Sequence, residues 1–250
     1  MRDIMLYLSC INDGNWLDIY KSIKNKEKFD QIKLEKFKKS ITSNYITILD
    51  DDYPEVFKNV IYPPYVLFYR GDLSLIKEKN IMAVIGAREN TLYGEQMTKK
   101  LVIDLVNRGY IIISGLARGI DSVAHTTCLE NGGKTIAVVG SGLNFTYPKE
   151  NYHLQKKIEE NGLIISEYPD FVKPKAIHYP YRNRLIAILS KSILVTEAKL
   201  KSGTMITVRH GLEYGKDIYV VPTLANIGSG CNKLIKEGAQ LVETVDDIVE

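Results

Sequence analysis

From about residue 80 onward, short apolar runs alternate with segments of helical spacing, and this alternation constrains the fold more than any other feature. The runs read IMAVIG, YIIIS, TIAVVG, GLIIS, SILVTE, DIYVVP and AQLVE. Strands that are apolar along their whole length are buried on both faces, which is typical of a parallel sheet covered by helices on each side. The pattern therefore predicts an α/β fold, an extended Rossmann-like, doubly wound and mostly parallel sheet, over residues 76–250.

Residues 1–75 lack this regular alternation and predict a small, mainly helical N-terminal appendage. The stretches NWLDIYKSI and FDQIKLEKFKKS have helical spacing, and their lysines are expected to form a solvated face. Further on, PYVLFYRG predicts a strand that ends in a turn at Gly71, so the latter half of the appendage should pack against the main domain. The apolar positions of the first helix are Trp16, Ile19, Tyr20 and Ile23.

Composition excludes several classes of protein. The net charge of +3 is too small for a protein that coats nucleic acid by overall charge, so any such affinity must come from local clustering. Cys10, Cys128 and Cys231 lack the spacing of a zinc site or disulfide framework and predict reduced thiols. No secretory signal or apolar run of about 18 residues is present, so we expect a cytoplasmic protein without a membrane partner.

The turns after the strands are the places to look for function, because ligands of open parallel sheets bind beyond the carboxyl ends of the strands. The first turn, GARENTLYG (86–94), has Arg88 where a dinucleotide fingerprint has its second glycine. A side chain at that position disfavours a nicotinamide or flavin cofactor. The GGKT stretch (132–135) precedes a strand rather than following one, which favours a plain turn over a phosphate loop.

The second turn, SGLARGIDSVAH (114–125), holds Arg118 between two glycines at the exit of a buried strand. An arginine in such a turn faces whatever lies above the sheet edge, and this position favours an anion. Asp121 is expected to hold the arginine of its own loop, with Ser122 beside it at the start of the next helix. His125 is interpreted as a hydrogen-bonded structural residue rather than a catalyst.

Two further segments add cationic or anion-binding groups to the same edge. Arg182 and Arg184 flank Asn183 just before an apolar helix, and a phosphate between them would offset their unfavourable position at a helix N-terminus. Ser202, Gly203 and Thr204 begin another helix near Lys199 and Lys201. A structural role is the simplest explanation for the presence of Glu167 and Glu197 at strand ends. Arginines with hydroxyl groups and no recognisable nucleophile favour binding over catalysis, so no enzymatic activity and no cofactor are predicted.

These motifs, together with GGKTIAVVGSGLNFTYP, SEYP and IKEGAQLV, resemble the DprA/Smf DNA-processing family in order and spacing over roughly residues 45–250. The resemblance implies single-stranded DNA binding, protection of incoming strands in natural transformation, loading of the recombinase RecA, and action as a homodimer in DNA recombination. The predicted DNA-binding residues are Gly86, Arg88, Ser114, Gly115, Arg118, Gly119, Arg182, Asn183, Arg184, Lys201, Ser202, Gly203 and Thr204.

The chain also departs from the family pattern. Thr223 stands where members usually have Pro-Gly, and we expect no C-terminal winged helix after VETVDDIVE, although many members carry one. The alternative is an enzyme that resembles the LOG-type nucleoside-monophosphate hydrolases, whose PGGxGTxxE pattern is only partly present in KSGTMIT. A sensor of a nucleotide-derived signal that uses the same pocket is a third interpretation.

Overall fold

The computed structural model describes residues 1–225 and 229–248 and contains one nine-stranded sheet. Along the sheet the strand order is β1-β2-β6-β5-β4-β3-β7-β8-β9. The strands are β1 (Asn44–Thr47), β2 (Val66–Gly71), β3 (Ile81–Gly86), β4 (Ile111–Ser114), β5 (Thr135–Val138), β6 (Leu163–Ser166), β7 (Ser192–Glu197), β8 (Asp217–Val220) and β9 (Gln240–Leu241).

The described helices cover both faces of this sheet. They are α1 (Arg2–Ile11), α2 (Trp16–Lys24), α3 (Gln31–Ser40), α4 (Glu55–Lys58), α5 (Leu92–Asn107), α6 (Ile120–Glu130), α7 (Tyr152–Asn161), α8 (His178–Leu189), α9 (Gly203–Glu213) and α10 (Gly230–Lys236). Short 3₁₀ turns occupy Leu73–Lys77, Lys149–Asn151 and Val245–Asp247. Within the described residues, no helix is both long and apolar enough to cross a bilayer.

The strands from β3 to β9 run parallel, which confirms the predicted doubly wound α/β fold. The chain proceeds from β3 through β4, β5 and β6 in one direction, and then returns to the other side of β3 with β7, β8 and β9. The topological switch point therefore lies between β3 and β7. In open α/β sheets this is where the crevice for a ligand forms.

Both faces of the central strands are buried, as their uninterrupted apolar sequences require. In β3, Ala83 and Ile85 face a core built with α8 and α9, whereas Met82 and Val84 face a core built with α5 and α6. Successive side chains of a strand point to opposite faces, so a strand covered on both sides needs apolar residues at every position. A third core lies at one end of the sheet, where α1 and α7 cover β2 and β6.

The predicted boundary at residue 75 does not interrupt the sheet. The strand expected in PYVLFYRG is β2, and it pairs antiparallel with β6, while β1 adds a further antiparallel edge strand that the sequence reading did not predict. Helix α1 was likewise not predicted as a separate element, although it lies within the mainly helical appendage. It is largely buried, with Leu6 fully inaccessible. Tyr20 and Ile23 of α2 are exposed, so only part of its apolar stripe faces the core.

An ion pair in the interior joins α8 to the end of β6. The Arg184 guanidinium donates to Glu167 Oε1, and both side chains are almost completely buried. The ring of Tyr181 lies 4.3 Å from the guanidinium carbon of Arg184 and covers one of its faces. Burial raises the pKa of the Glu167 carboxyl, and the positive charge of Arg184 opposes that shift. Each charge is tolerated inside the protein because the other is present.

We expect the Glu167→Ala variant to lose about 3–5 kcal/mol in free energy of unfolding, because Arg184 would keep a buried charge without a partner. Urea denaturation followed by circular dichroism measures this loss. Glu150→Ala is the matched control, since Glu150 is paired with an arginine on the surface and its removal should leave the denaturation midpoint nearly unchanged. Equal midpoints for the two variants would contradict the prediction.

Candidate nucleic-acid interface

A groove of about 480 Å³ opens at the switch point, beyond the carboxyl ends of β3 and β7. Its walls come from the loop after β3, the first two turns of α8, and the segment that leads from β7 into α9. A second chamber of about 160 Å³ adjoins it and shares the side chains of Arg88, Tyr147, Tyr179 and Arg182. The described surface at this edge is therefore a continuous cleft lined by arginines and tyrosines.

The loop after β3 is held from two sides, and this directs Arg88 into the cleft. Gly119 has a φ of 76°, and a Cβ there would lie 2.2 Å from the Ala87 carbonyl oxygen. The Ile120 amide donates to that oxygen at 3.1 Å, and Thr204 Oγ1 donates to the Gly86 carbonyl at 2.9 Å. Gly119 and Thr204 were predicted to contact DNA, and their observed contacts are with this loop.

Arg88 itself is exposed at the mouth of the cleft. Its guanidinium carbon lies 5.7 Å from the centre of the Tyr179 ring, so the cation rests near an aromatic face. The guanidinium is thereby oriented toward the space between the two chambers that it lines. A planar cation in this position can bind a phosphate through two parallel hydrogen bonds.

Arg182 is buried, in contrast to its predicted position. Helix α8 begins at His178, so Arg182 lies in its second turn and not ahead of the helix as the sequence reading had it. One guanidinium nitrogen donates to the carbonyl oxygens of Gly115, at 2.7 Å, and Val138, which follow β4 and end β5. Burial lowers the pKa of Arg182 to about 10, which still leaves the side chain charged at neutral pH.

Asp121 is the buried acid that faces this arginine. Its Oδ2 accepts from the amides of Gly115, at 3.2 Å, and Ala117, at 3.3 Å. Burial raises the pKa of the Asp121 carboxyl, and the positive charge of Arg182 opposes the shift. The expectation that Asp121 holds the arginine of its own loop is wrong, because Asp121 binds the loop backbone while Arg118 pairs elsewhere.

Gly115 lies between these two charges, where any side chain would force one of them to shift. A Cβ at this position would lie 2.7 Å from a guanidinium nitrogen of Arg182 and 2.8 Å from Asp121 Oδ2. The glycine therefore lets the backbone pass through a charged pair that a side chain would separate. Gly115 was predicted to contact DNA, and it does line the smaller chamber. It also shapes the loop, which is a structural reason for a glycine at this position.

Arg118 lies at the outer end of the cleft, with 63 % of its side chain exposed. Its guanidinium donates to Glu150, which is equally exposed, and Arg118 lines the smaller chamber together with Tyr147 and Pro148. An exposed ion pair of this kind contributes little to stability. The arginine can therefore exchange its carboxylate partner for a phosphate at low cost.

Two tyrosines in the cleft were missed in the sequence. The rings of Tyr147 and Tyr179 lie 5.6 Å apart with their planes tilted by 36°, and Tyr147 is 53 % exposed. Both lie next to prolines that fix the local backbone, in the stretches FTYP and HYPYRN. Their position beside the arginines was not readable from spacing, because Tyr147 comes from the loop after β5 and Tyr179 from α8.

The far wall of the cleft contains the start of α9. Ser202 precedes this helix without capping it, since its hydroxyl donates instead to the Lys199 carbonyl at 2.9 Å. Asn183 Nδ2 donates to the Gly203 carbonyl, and no atom lies within 4 Å of the position that a Cβ of Gly203 would occupy. The Cβ side of Gly203 therefore borders open space at a helix N-terminus, which is the end of a helix that favours an anion.

Not every predicted residue reaches the cleft. Ser114 is fully buried and donates to the Val84 carbonyl, and Arg184 is buried against Glu167, so neither has an accessible atom for DNA. Lys201 is exposed but lies outside both chambers. Predicted residues that line the cleft are Gly86, Arg88, Gly115, Arg118, Arg182, Asn183, Ser202, Gly203 and Thr204.

The side chains that could have suggested catalysis have structural partners. His125 Nδ1 lies 2.7 Å from Thr135 Oγ1, and burial lowers its pKa to about 3, so the ring is neutral at physiological pH. Glu197 accepts from the amide and hydroxyl of Thr91. Within residues 1–225 and 229–248, no group of histidine, cysteine and carboxylate side chains is placed to hold a metal ion.

Comparison with known proteins identifies the family. A sequence model of the family DNA recombination-mediator protein A matches residues 44–250. The chain belongs to this family. The DNA processing protein DprA of Streptococcus pneumoniae is 42% identical over 205 residues, which cover 81% of this chain and 72% of that protein. DprA of Bacillus subtilis is 36% identical over 209 residues, covering 83% and 70%.

Solved structures of the family have the same fold. DNA processing protein A from S. pneumoniae superposes with a TM-score of 0.83 at 38% identity, covering 94% of this chain and 81% of that one. The protein from Helicobacter pylori, whose structure is described in terms of its single-stranded DNA binding mode, superposes with a TM-score of 0.75 at 33% identity. That match covers 83% of this chain and 94% of the H. pylori chain.

We expect Arg118→Ala to lower affinity for single-stranded DNA about ten- to hundredfold while the melting temperature stays nearly unchanged, because a charge-assisted contact is lost from the surface. Arg118→Lys should restore only part of the affinity, since an ammonium lacks the planar fork. Glu150→Gln should raise affinity, because Arg118 would lose its competing carboxylate. Fluorescence anisotropy and thermal melts of each variant measure both quantities.

Arg182→Ala serves as the contrasting variant. It removes the donor to the Gly115 and Val138 carbonyls and leaves Asp121 buried without a countercharge, so its melting temperature should fall. If Arg118→Ala melted at the lower temperature of this variant while folded protein kept its affinity, Arg118 would be a structural residue.

Proposed function

We propose that this protein binds and protects single-stranded DNA in the cleft at the switch point of its sheet. One observation carries the proposal: Arg88, Arg118 and Arg182 converge there with the rings of Tyr147 and Tyr179. Single-strand binders combine cationic groups that follow the phosphates with aromatic rings that stack on bases. The family membership and the single-stranded DNA binding described for the H. pylori relative support the same ligand.

Single strands suit this cleft better than duplex DNA for a geometric reason. The two exposed arginines, Arg88 and Arg118, lie on separate loops, after β3 and after β4, and a flexible backbone can bend to reach both. In a duplex the bases are stacked inside the helix, so their faces are closed to Tyr147 and Tyr179. Ring stacking therefore favours an unpaired strand.

A binding role also agrees better with the cleft chemistry than hydrolysis of nucleoside monophosphates. In the hydrolase pattern a glutamate follows Gly-Thr by three residues, and here that position is Thr207, which lines the groove. Among the carboxyl groups of the groove, Asp121 is engaged by backbone amides and Glu89 pairs with Lys199. We therefore infer a non-enzymatic protein that needs no cofactor.

The partners follow from the family. A recombination mediator transfers a bound strand to a recombinase, so we propose that RecA is the protein partner. We propose that the protein acts in the cytoplasm, in natural transformation and recombination.

We also propose a homodimer. Strand β9 ends the sheet and both of its residues are exposed, with Leu241 43 % accessible. An open sheet edge of this kind is a surface that a second copy can cover.

Titration of labelled oligonucleotides tests the ligand. Single-stranded DNA should bind at least tenfold more tightly than blunt duplex of the same length, because at least one unpaired base can stack on a tyrosine ring. If the exposed Arg88 and Arg118 each neutralise one phosphate, the logarithm of the association constant should fall against the logarithm of salt with a slope of about −1.4. Equal affinity for duplex, or release of free base from nucleoside monophosphates, would overturn the proposal.

Light scattering tests the assembly. At micromolar concentration the mass should be roughly twice the 28.3 kDa of one chain, and Leu241→Asp should return it to the monomer value because a charge would be placed in the contact. The control is Ile32→Asp, because Ile32 is exposed on helix α3, far from β9. This variant should leave the mass unchanged. A monomer in the unmodified protein would refute dimerisation.

A further inference from the structure

We propose that a stack of aromatic rings on the N-terminal helices is a second contact for single-stranded DNA, beside the cleft. The ring stack consists of Tyr20, Trp16 and Tyr65, and none of the predicted DNA-binding residues belongs to it. The inference rests on the proposed function, because it extends the path of a strand that the cleft binds. Its first two rings come from α2, which precedes the region matched by the family model.

The three rings are almost parallel. Tyr20 and Trp16 have ring centres 5.6 Å apart and planes within 6°, and Trp16 and Tyr65 have centres 5.4 Å apart and planes within 19°. Tyr62 meets Trp16 edge-on at 4.9 Å, and the indole Nε1 donates to the Pro63 carbonyl at 2.8 Å. The indole is thus fixed in orientation, which preorganises the stack for a further flat ring.

The outer end of the stack is open to solvent. Ile19 anchors α2 in the core at 2 % exposure, whereas the next residue, Tyr20, is 45 % exposed. The stack begins on the surface at Tyr20 and extends to the half-buried Tyr65, just before β2. The exposed ring of Tyr20 therefore offers a surface on which an unpaired base can stack.

The ring stack lies on the same edge of the sheet as the cleft. β2 is antiparallel to β6, so Tyr65, just before β2, lies beyond the carboxyl end of β6. The turn between α1 and α2 contacts the segment after β6, since Asp13 pairs with Lys175 at 3.4 Å and a Cβ at Gly14 would lie 2.6 Å from the Glu167 carbonyl oxygen. That same segment continues to Ala176 and Tyr179, which line the groove.

The charges beside the stack favour a nucleic acid over a protein. Lys24 follows Tyr20 by one helical turn and so lies on the same face of α2. Lys24, Lys26 and Lys28 are exposed and make no ion pair within the described part of the chain. Available lysines beside stacking rings are what a phosphate backbone requires, whereas an apolar protein partner would leave their charges uncompensated.

The position of tryptophan makes this proposal directly measurable. Trp16 is the only tryptophan of the chain and occupies the middle of the stack, so its fluorescence reports on this surface. We expect an oligonucleotide of about 5 nucleotides to bind the cleft alone and one of about 20 nucleotides to reach the stack as well. Anisotropy of a labelled strand measures binding, while Trp16 quenching measures contact with the stack.

Tyr20→Ala should weaken binding of the longer strand about fivefold or more, leave the short strand unaffected, and reduce quenching of Trp16. Tyr20→Phe keeps the ring and should behave like the unmodified protein. Unchanged affinity of the short strand for Tyr20→Ala also shows that the variant is folded.

Two results would overturn the proposal. Saturating binding of the longer strand without quenching of Trp16 would show that the strand avoids the stack. Equal affinity of Tyr20→Ala and the unmodified protein for the longer strand would show the same. Failure of the unmodified protein to bind either strand would instead refute the proposed function, and the second contact with it.

Discussion

The buried guanidinium of Arg182 organises the candidate site. It donates to the carbonyl oxygens of Gly115 and Val138, while Asp121 accepts from the amides of Gly115 and Ala117. The loop after β4 is therefore held through both polar groups of Gly115 by two buried and opposite charges. A buried charge is costly unless it is compensated, and this requirement links α8, α6 and the ends of two strands into one arrangement.

This arrangement separates two kinds of charged residue that look alike in the sequence. Arg182 and Arg184 are buried and hold segments of the fold together, whereas Arg88 and Arg118 are exposed at the cleft. Both buried arginines lie in the second turn of α8. Arg182 lines the cleft, whereas Arg184 is directed toward Glu167 and Tyr181. A ligand that meets Arg88 and Arg118 thus encounters a cleft whose shape is set before binding.

The N-terminal segment is joined to this framework through the sheet and through polar contacts. Asp170 accepts from the amides of Thr42 and Ser43, directly ahead of β1, and Arg70 of β2 lies 3.6 Å from the same carboxylate. These contacts fix the chain between α3 and β1 against the segment after β6. In the loop after β8, Thr223 exchanges two hydrogen bonds with Asn232 of α10, so the departure from the family's Pro-Gly leaves an anchored loop. Residues 226–228 of that loop lie outside the described part of the chain.

The sequence by itself determined the parallel sheet and the strands at its centre, because apolar runs such as IMAVIG can be satisfied only by burial on both faces. It could not distinguish Arg184 from Arg118, since whether a charge is buried depends on the acid that faces it, and Glu167 is distant in the chain. Tyr147 and Tyr179 meet only in three dimensions for the same reason. Likewise, spacing made α2 amphipathic, but only the fold decided that Ile19 enters the core and Tyr20 does not, because β2 and its preceding loop cover just one side of the helix.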